Sequence, residues 1–441
     1  MESKNRGWTN WLAAVGSCVF TFLLIGDATA VEPRLYQLEN GGAIAPHLRI
    51  EFGHDDNPLR GDAGSEGSAF VTVKPTVQYI LQRRNNTLTI GYQGDFLQYF
   101  DEFCSEPVRT FGLANIVERP GDCSSSASPT FDKASYQDHE LGLTGFLEIN
   151  RRSRLSVDAS TSLINQPLGT GLSANDTVLS ALNEPDSFVR NRARAELSYG
   201  AQRARGELRF ALDFRSRGFR ENAGRDLEDL DERFFEPSAS LLYRVGTRTQ
   251  VFAGLGFGDI SGGNSERTIS RGFVGLEFDA SAITSGSVQL NFVTEDFDDP
   301  EPDGSEREDL SFTGFDVDLV WRPRRFSTVT IGAGRETERA TVSEEVTITS
   351  DADVRWVHFW RDRLSSIVDL RIERNEATDN PLDDDANDRT TALRLEGNYN
   401  VRRWIDLGAF VQTENRSGRN VGGSSRDFSR TLFGLTANGT F

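Results

Sequence analysis

The chain has 441 residues, with 67 acidic against 48 basic side chains and a net charge of −19. So negative a balance excludes a nucleic-acid partner, whose binding depends on neutralising phosphates. Beyond residue 30 no apolar run approaches the roughly 20 residues of a membrane helix. The mean hydropathy of −0.45 leaves a membrane barrel open, because there only alternate residues must be apolar.

Residues 1–30 read as a secretory signal. Lys4 and Arg6 supply positive charge, an apolar stretch runs from Trp11 to Ile25, and Ala28-Thr29-Ala30 offers a small-x-small cleavage site. The stretch is short for a retained membrane anchor. Cys18 ends Val15-Gly16-Ser17-Cys18, which loosely resembles a lipoprotein box, but apolar sequence continues past it and lipidation is not expected. Residues 31–42 would form a periplasmic N-terminal segment, and 43–441 a single barrel. Cys104 and Cys123 lie in one polar segment. An even pair in an exported chain predicts a disulfide pinning a loop, with two unpaired thiols as the alternative.

From residue 43 the hydropathy alternates. In 43–53, Ile44, Pro46, Leu48, Ile50 and Phe52 share one face, and His47, Arg49 and Glu51 the other. In 205–217, Leu208, Phe210, Leu212 and Phe214 oppose a face of charge, and 189–199 repeats the pattern. Repetition at i+2 and not at i+3/i+4 excludes helices. Short turns such as 82–86, 150–153, 321–325, 360–363 and 400–404 are rich in arginine. From about residue 200 they recur every ~40 residues, a spacing suited to two membrane strands, a turn and a loop. Trp321, Trp360 and Trp404 beside these turns suit an interfacial aromatic girdle. The longer connections are polar and several are acidic, as at 226–231, 298–303 and 383–385.

These features predict an all-β fold: one transmembrane antiparallel up-and-down barrel of about 18 strands (16–18), its short turns periplasmic and its longer loops extracellular. A segment at 337–350 leaves room for an extra turn. Both termini then fall on the periplasmic side. A soluble sandwich or propeller, the rival, would bury its apolar faces against each other. The last strand alternates to the terminal Phe441, resembling the closing strand by which the assembly machinery recognises outer-membrane barrels.

With apolar faces toward lipid, the charged faces line the lumen. Arg190, Arg192, Arg194, Arg205, Arg209, Arg215 and Arg217 would form a basic stripe on adjacent strands. Asp316, Asp318, Asp351, Asp353 and Asp369, with Arg355, Arg371 and Glu373, would form a more acidic wall. Opposed walls set a transverse field that selects ions, or else their charges pair across strands and solvate the wall. Catalytic motifs are absent: there is no GxSxG and no HExxH, and Asp138-His139 is an isolated pair. No cofactor or metal site is expected. The acidic loops could bridge lipopolysaccharide through divalent cations but lack a regular ligand spacing.

Pro46-His47-Leu48-Arg49-Ile50-Glu51-Phe52-Gly53-His54-Asp55-Asp56-Asn57, followed by Val71-Thr72-Val73-Lys74-Pro75, resembles the opening strands of outer-membrane porins of the beta-barrel porin 2 type. Such porins are associated with exopolysaccharide export genes. The resemblance implies an outer-membrane location and a conduit for hydrophilic solute, with exopolysaccharide as a candidate cargo. The alternative is a structural or surface-interaction barrel with an occluded lumen, plugged by loop 101–135. Expected partners are outer-membrane lipid and lipopolysaccharide, the barrel assembly machinery through the C-terminal strand, and exopolysaccharide export components.

Overall fold

A strand that is apolar on one face and charged on the other needs two solvents. In hydrocarbon its backbone groups must also all be paired within the protein. The computed structural model satisfies both demands by closing the sheet. It describes residues 35–61, 67–100, 103–104, 130–131, 134–170, 185–201, 204–222, 227–262, 266–281, 283–297, 309–339, 346–377, 387–418 and 427–441. The expected export segment lies outside these residues. So do Cys123 and the side chain of Cys104, and with them the expected disulfide, most of the expected plug and most acidic loop runs.

Eighteen strands form the wall. They are β1 (Gly42–Asp55), β2 (Ser68–Arg83), β3 (Asn86–Tyr99), β4 (Tyr136–Glu148), β5 (Ser153–Gln166) and β6 (Asp186–Tyr199). Then come β7 (Gly206–Phe219), β8 (Glu232–Arg244), β9 (Thr249–Ser261), β10 (Arg267–Ser281), β11 (Thr284–Phe297) and β12 (Leu310–Arg324). The last are β13 (Ser327–Arg339), β14 (Val346–Arg361), β15 (Leu364–Ala377), β16 (Asn387–Arg402), β17 (Ile405–Gly418) and β18 (Phe428–Thr440). Neighbours in sequence pair antiparallel, and β1 pairs β18 from His47 opposite Thr440 to Asp55 opposite Leu432, which closes the barrel. Of the ambiguous stretch at 337–350, residues 337–339 end β13 and 346–350 begin β14, and 340–345 lie outside the described residues. In the N-terminal segment, Tyr36–Gln37 folds back onto β1 through Gly41, whose φ is +82°.

The polarity is inverted relative to a soluble β-protein. Phe210, Leu255, Phe257 and Leu435 point outward and are half exposed or more, whereas Glu236, Glu295 and Asn438 are buried inside. No sandwich presents its large apolar residues this way, so the outer face is the lipid face. The strands are 13 to 16 residues long, against about 9–11 for crossing the hydrocarbon. Their excess carries charged and polar residues beyond the apolar band.

Closure puts the backbones of β1 and β18 close together at one rung. Gly53 faces Gly434. A Cβ on Gly434 would lie 2.3 Å from the Phe52 carbonyl oxygen, and one on Gly53 would lie 2.4 Å from that of Phe433. Gly434→Val should therefore strain the seam by about 1–3 kcal/mol. The expected result is a smaller fraction migrating as folded barrel on an unheated denaturing gel and an earlier thermal loss of β-structure. Unchanged behaviour would show that the seam tolerates separation.

Candidate functional site

The lumen has two unlike halves. Around the seam it is filled, first by a closed charge network. Arg49 donates to Glu396 at 2.6 Å and to Glu51 at 2.8 Å. Arg394 donates to the same two carboxylates at 2.9 and 2.7 Å and lies 4.0 Å from the centre of the Phe410 ring. Asn398 adds a hydrogen bond to Glu396 at 3.0 Å. Two guanidinium groups alternate with two carboxylates, so this buried cluster carries no net charge. Gly408 makes room for it, since a Cβ there would lie 2.2 Å from the Asn398 side-chain oxygen.

Nearer the long-loop end the filling turns apolar. Phe70, Tyr99, Phe410 and Leu432 project inward from the wall and pack with Leu59 and Leu168 from the loops after β1 and β5. The two loops meet at Gly169 (φ +76°), where a Cβ would lie 2.1 Å from the Leu59 carbonyl oxygen. Arg430 donates to Asp55 at 2.5 Å, Tyr99 donates to the same carboxylate at 2.6 Å, and Asp55 accepts from the Asn57 backbone N–H at 3.1 Å. Asn57 in turn donates to the Gly61 and Ser429 carbonyls. The loop after β1 is thus tied into the lumen at its root. Phe188, Phe219 and Leu227 make a smaller inward cluster near the loop after β7.

The other half, from β4 to β13, encloses a cavity of ≈ 530 Å³. Of the charges expected in the lumen, Asp351, Asp353, Arg355, Asp369 and Arg371 lie on β14 and β15 outside its lining, whereas Arg190, Arg192, Arg194, Arg209, Arg215, Arg217, Asp316 and Asp318 line this cavity, in two arrangements. Some are paired. Arg194 donates to Asp213 at 2.6 Å and to Glu196 at 3.2 Å. Arg209 bonds Glu277 at 3.0 Å and Glu207 at 3.2 Å, and Arg154 and Arg271 pair with Glu207 and Glu236. Others also face like charge, although Arg217 pairs with Glu232 at 3.7 Å. Arg190 stands directly across from Arg217, and Arg192 across from Arg215, on β6 and β7. These four arginines form a two-by-two grid, flanked by Ser160 and Ser162 on β5 and by Phe234 and Glu232 on β8.

The facing wall holds the acidic counterpart. Asp318 and Asp353 lie on either side of Gly332, and Asp316 and Asp351 on either side of Gly334, across β12, β13 and β14. A Cβ on Gly332 would lie 2.3 Å from the Asp353 carboxylate, so the glycine leaves room for it. Asn291 donates to Asp316 at 2.6 Å. Beyond this grid Arg355 and Asp369 approach to 3.6 Å, and Arg371 bonds Glu373 at 2.9 Å while standing across from Asp353. One contact joins the walls: Arg215 lies 4.0 Å from Glu336, six strands away, and both side chains are substantially exposed.

Arg205 departs from the expectation. It lies exposed in the turn before β7, where the alternation has not begun, and does not line the cavity. Glu336 and the inward loops were not anticipated. A clue was available in Phe70, Tyr99 and Phe410, large rings on the otherwise polar face of their strands. The Asp138-His139 pair is split by the strand: Asp138 accepts from Asn165 at 2.8 Å, while His139 contacts Tyr92 at 3.0 Å and the Phe96 ring.

The profile of the family described as Putative beta-barrel porin 2 matches residues 43–439. The chain belongs to that family. No curated protein matches it. Among solved structures this porin is similar to OccAB4 of Acinetobacter baumannii, with 11% identity, TM-score 0.41, and coverage of 92% of this chain and 100% of that one. It is likewise similar to OccK9 (OpdG) of Pseudomonas aeruginosa, with 13% identity, TM-score 0.41 and the same coverage. Likeness at this level says nothing about solute.

The inward loop of the porin depends on a buried ion pair, and removing one partner of such a pair costs about 3–5 kcal/mol. Asp55→Ala should release the loop after β1 from the lumen. Raised single-channel conductance and new protease cleavage between residues 56 and 61 are expected. Conductance and cleavage equal to wild type would show that Leu59 packing alone holds the loop.

Proposed function

We propose that this outer-membrane porin is a conduit for hydrophilic, negatively charged solute, brought to the membrane by the signal at residues 1–30. The observation that carries this reading is the like-charged register. Like charges directly opposite one another destabilise a sheet, and alternating partners would have solvated the wall as well. Arg190/Arg217 and Arg192/Arg215 accept that cost facing an aspartate grid, an arrangement that gives a transverse field and a track for anions. Acidic exopolysaccharide is the polymer suggested by the resemblance of residues 46–57 and 71–75 to export-associated porins. The expected partners remain outer-membrane lipid and lipopolysaccharide, the assembly machinery reading the strand that ends at Phe441, and export components.

The second reading, a surface-interaction barrel with an occluded lumen, is favoured by the two loops packed inside the wall. Planar bilayers separate the two. Wild-type protein should conduct with anion preference, and Arg192→Ser with Arg215→Ser should lower the anion-to-cation permeability ratio about tenfold, the equivalent of about 1.4 kcal/mol. A silent bilayer would favour the occluded barrel. A conducting channel with an unchanged ratio would reduce the arginines to wall solvation. For the polymer, cells lacking the protein should retain acidic polysaccharide in the periplasm, and normal secretion would remove it as cargo.

A further inference from the structure

The arginine-rich turns are not used by the conduit. Eight short turns join the strand pairs from β2–β3 to β16–β17, and only the Ala282-Ile283 turn has no arginine. Arg84, Arg152, Arg205, Arg248, Arg325, Arg363 and Arg403 represent the other seven, and all are exposed. The one acid within these turns is Asp362, in a chain whose net charge is −19. Among the described residues no carboxylate stands within ion-pair distance of any of these seven arginines, unlike Arg194, Arg209 and Arg430 inside the barrel. Lysine is not used for the purpose: the chain has only Lys4, Lys74 and Lys133.

Two further observations bear on what this collar meets. Arg84 has φ +56°, a left-handed position in a two-residue hairpin where asparagine or glycine is favoured. Its backbone therefore works against arginine, and the side chain is what the position offers. Exposed Phe326, Trp360 and Trp404 also adjoin Arg325, Arg361 and Arg403, which sets the guanidinium groups at the level of the interfacial aromatics.

We propose that this rim binds the phosphate headgroups of anionic phospholipids in the periplasmic leaflet. The inference rests on the short turns facing the periplasm. A planar guanidinium binds phosphate oxygens through paired hydrogen bonds, which an ammonium cannot do. The arginines occupy seven of the eight short turns around the circumference, whereas a protein or polymer docking at the pore would be met on one side or at the opening. Only the bilayer surrounds a barrel on all sides. The long connections at the opposite end mix their arginines, such as Arg119, Arg225 and Arg307, with acidic runs such as 298–303 and 383–385, so the arginine-rich, acid-poor segments lie at one end.

The test is lipid retention by the full barrel. Protein held in mixed phosphatidylcholine and phosphatidylglycerol is stripped stepwise with detergent, and the remaining lipid is counted by native mass spectrometry. Wild type should keep phosphatidylglycerol several-fold over phosphatidylcholine, and the preference should shrink as salt rises, since exposed charges are screened. Arg325→Gln, Arg363→Gln and Arg403→Gln together should reduce it to near parity, while the corresponding lysine variants keep an intermediate preference. Folded migration on unheated gels and bilayer conductance report whether the variants are intact, and both should stay at wild-type values. Equal retention of the two lipids by wild type, or a preference unchanged in the glutamine variant, would overturn the proposal while leaving the conduit reading untouched. Binding of polygalacturonate in detergent that is lost in the same variant, without lipid preference, would overturn it in favour of an acidic polymer.

Discussion

Everything in this protein depends on the pairing of its first strand with its last. Until β1 meets β18 the sheet has two open edges, and each open edge in hydrocarbon leaves unpaired backbone groups costing several kcal/mol apiece. Once they meet, every strand has two neighbours, and inside and outside become distinct for all eighteen at once. The glycine rung at Gly53 and Gly434, the polar side chains of Thr436 and Asn438, and the Arg49–Glu396 bond gather around this seam. The chain thus joins its two ends with backbone proximity and charge together.

Inside the closed wall the apolar packing is confined to two small clusters, because most of the hydrophobic surface faces lipid. Charge supplements it in two forms. Around the seam, carboxylates and guanidinium groups alternate, so each buried ion has a partner and the cluster is neutral. Across the cavity, like charges stand in register on opposite walls, and their side chains are at most partly buried. A buried pair is costly to form but far costlier to break, which suits a fixed structural plug. Exposed charge is worth little to stability, which suits a surface that must exchange partners with a passing solute. The position of each group in the lumen therefore separates structural charge from the charge to which the proposed conduit assigns transport.

The wall was readable from the chain because a period of two is a local property. Once Phe210 and Leu212 face lipid, Arg209 and Asp213 must face inward, with no tertiary information needed. The same rule failed at Arg205, where it was carried past the end of the strand into a turn. It could not reach the contact between Arg215 and Glu336 either, since their distance depends on the cross-section of the whole barrel and not on any neighbouring register. Which arginines are paired also hinges on register between strands. Arg194 meets Asp213 while Arg192 meets Arg215 two residues away, and the alternation of either strand alone treats them alike. The inward loops lay beyond reach for a third reason: Leu59 and Leu168 sit in polar connections without periodicity, and only the rings misplaced on the polar face marked where they would land.

Charge is sorted along the barrel as well as across it, and the two patterns act on a solute at different places. A bare arginine collar would draw anions to the periplasmic opening, and the acidic loops would repel them at the other. Taken alone, that axial gradient would decide how anions enter. Lipid phosphates bound to the collar would cancel most of its field within the screening length of about 8 Å at physiological salt. Selection would then pass to charges that lipid cannot reach. Among the described residues, the groups collected by sign within the lumen are the arginine grid of β6 and β7 and the aspartates of β12 and β14. A neutralised rim would thus make the transverse field, and not the rim, the step at which solutes are told apart.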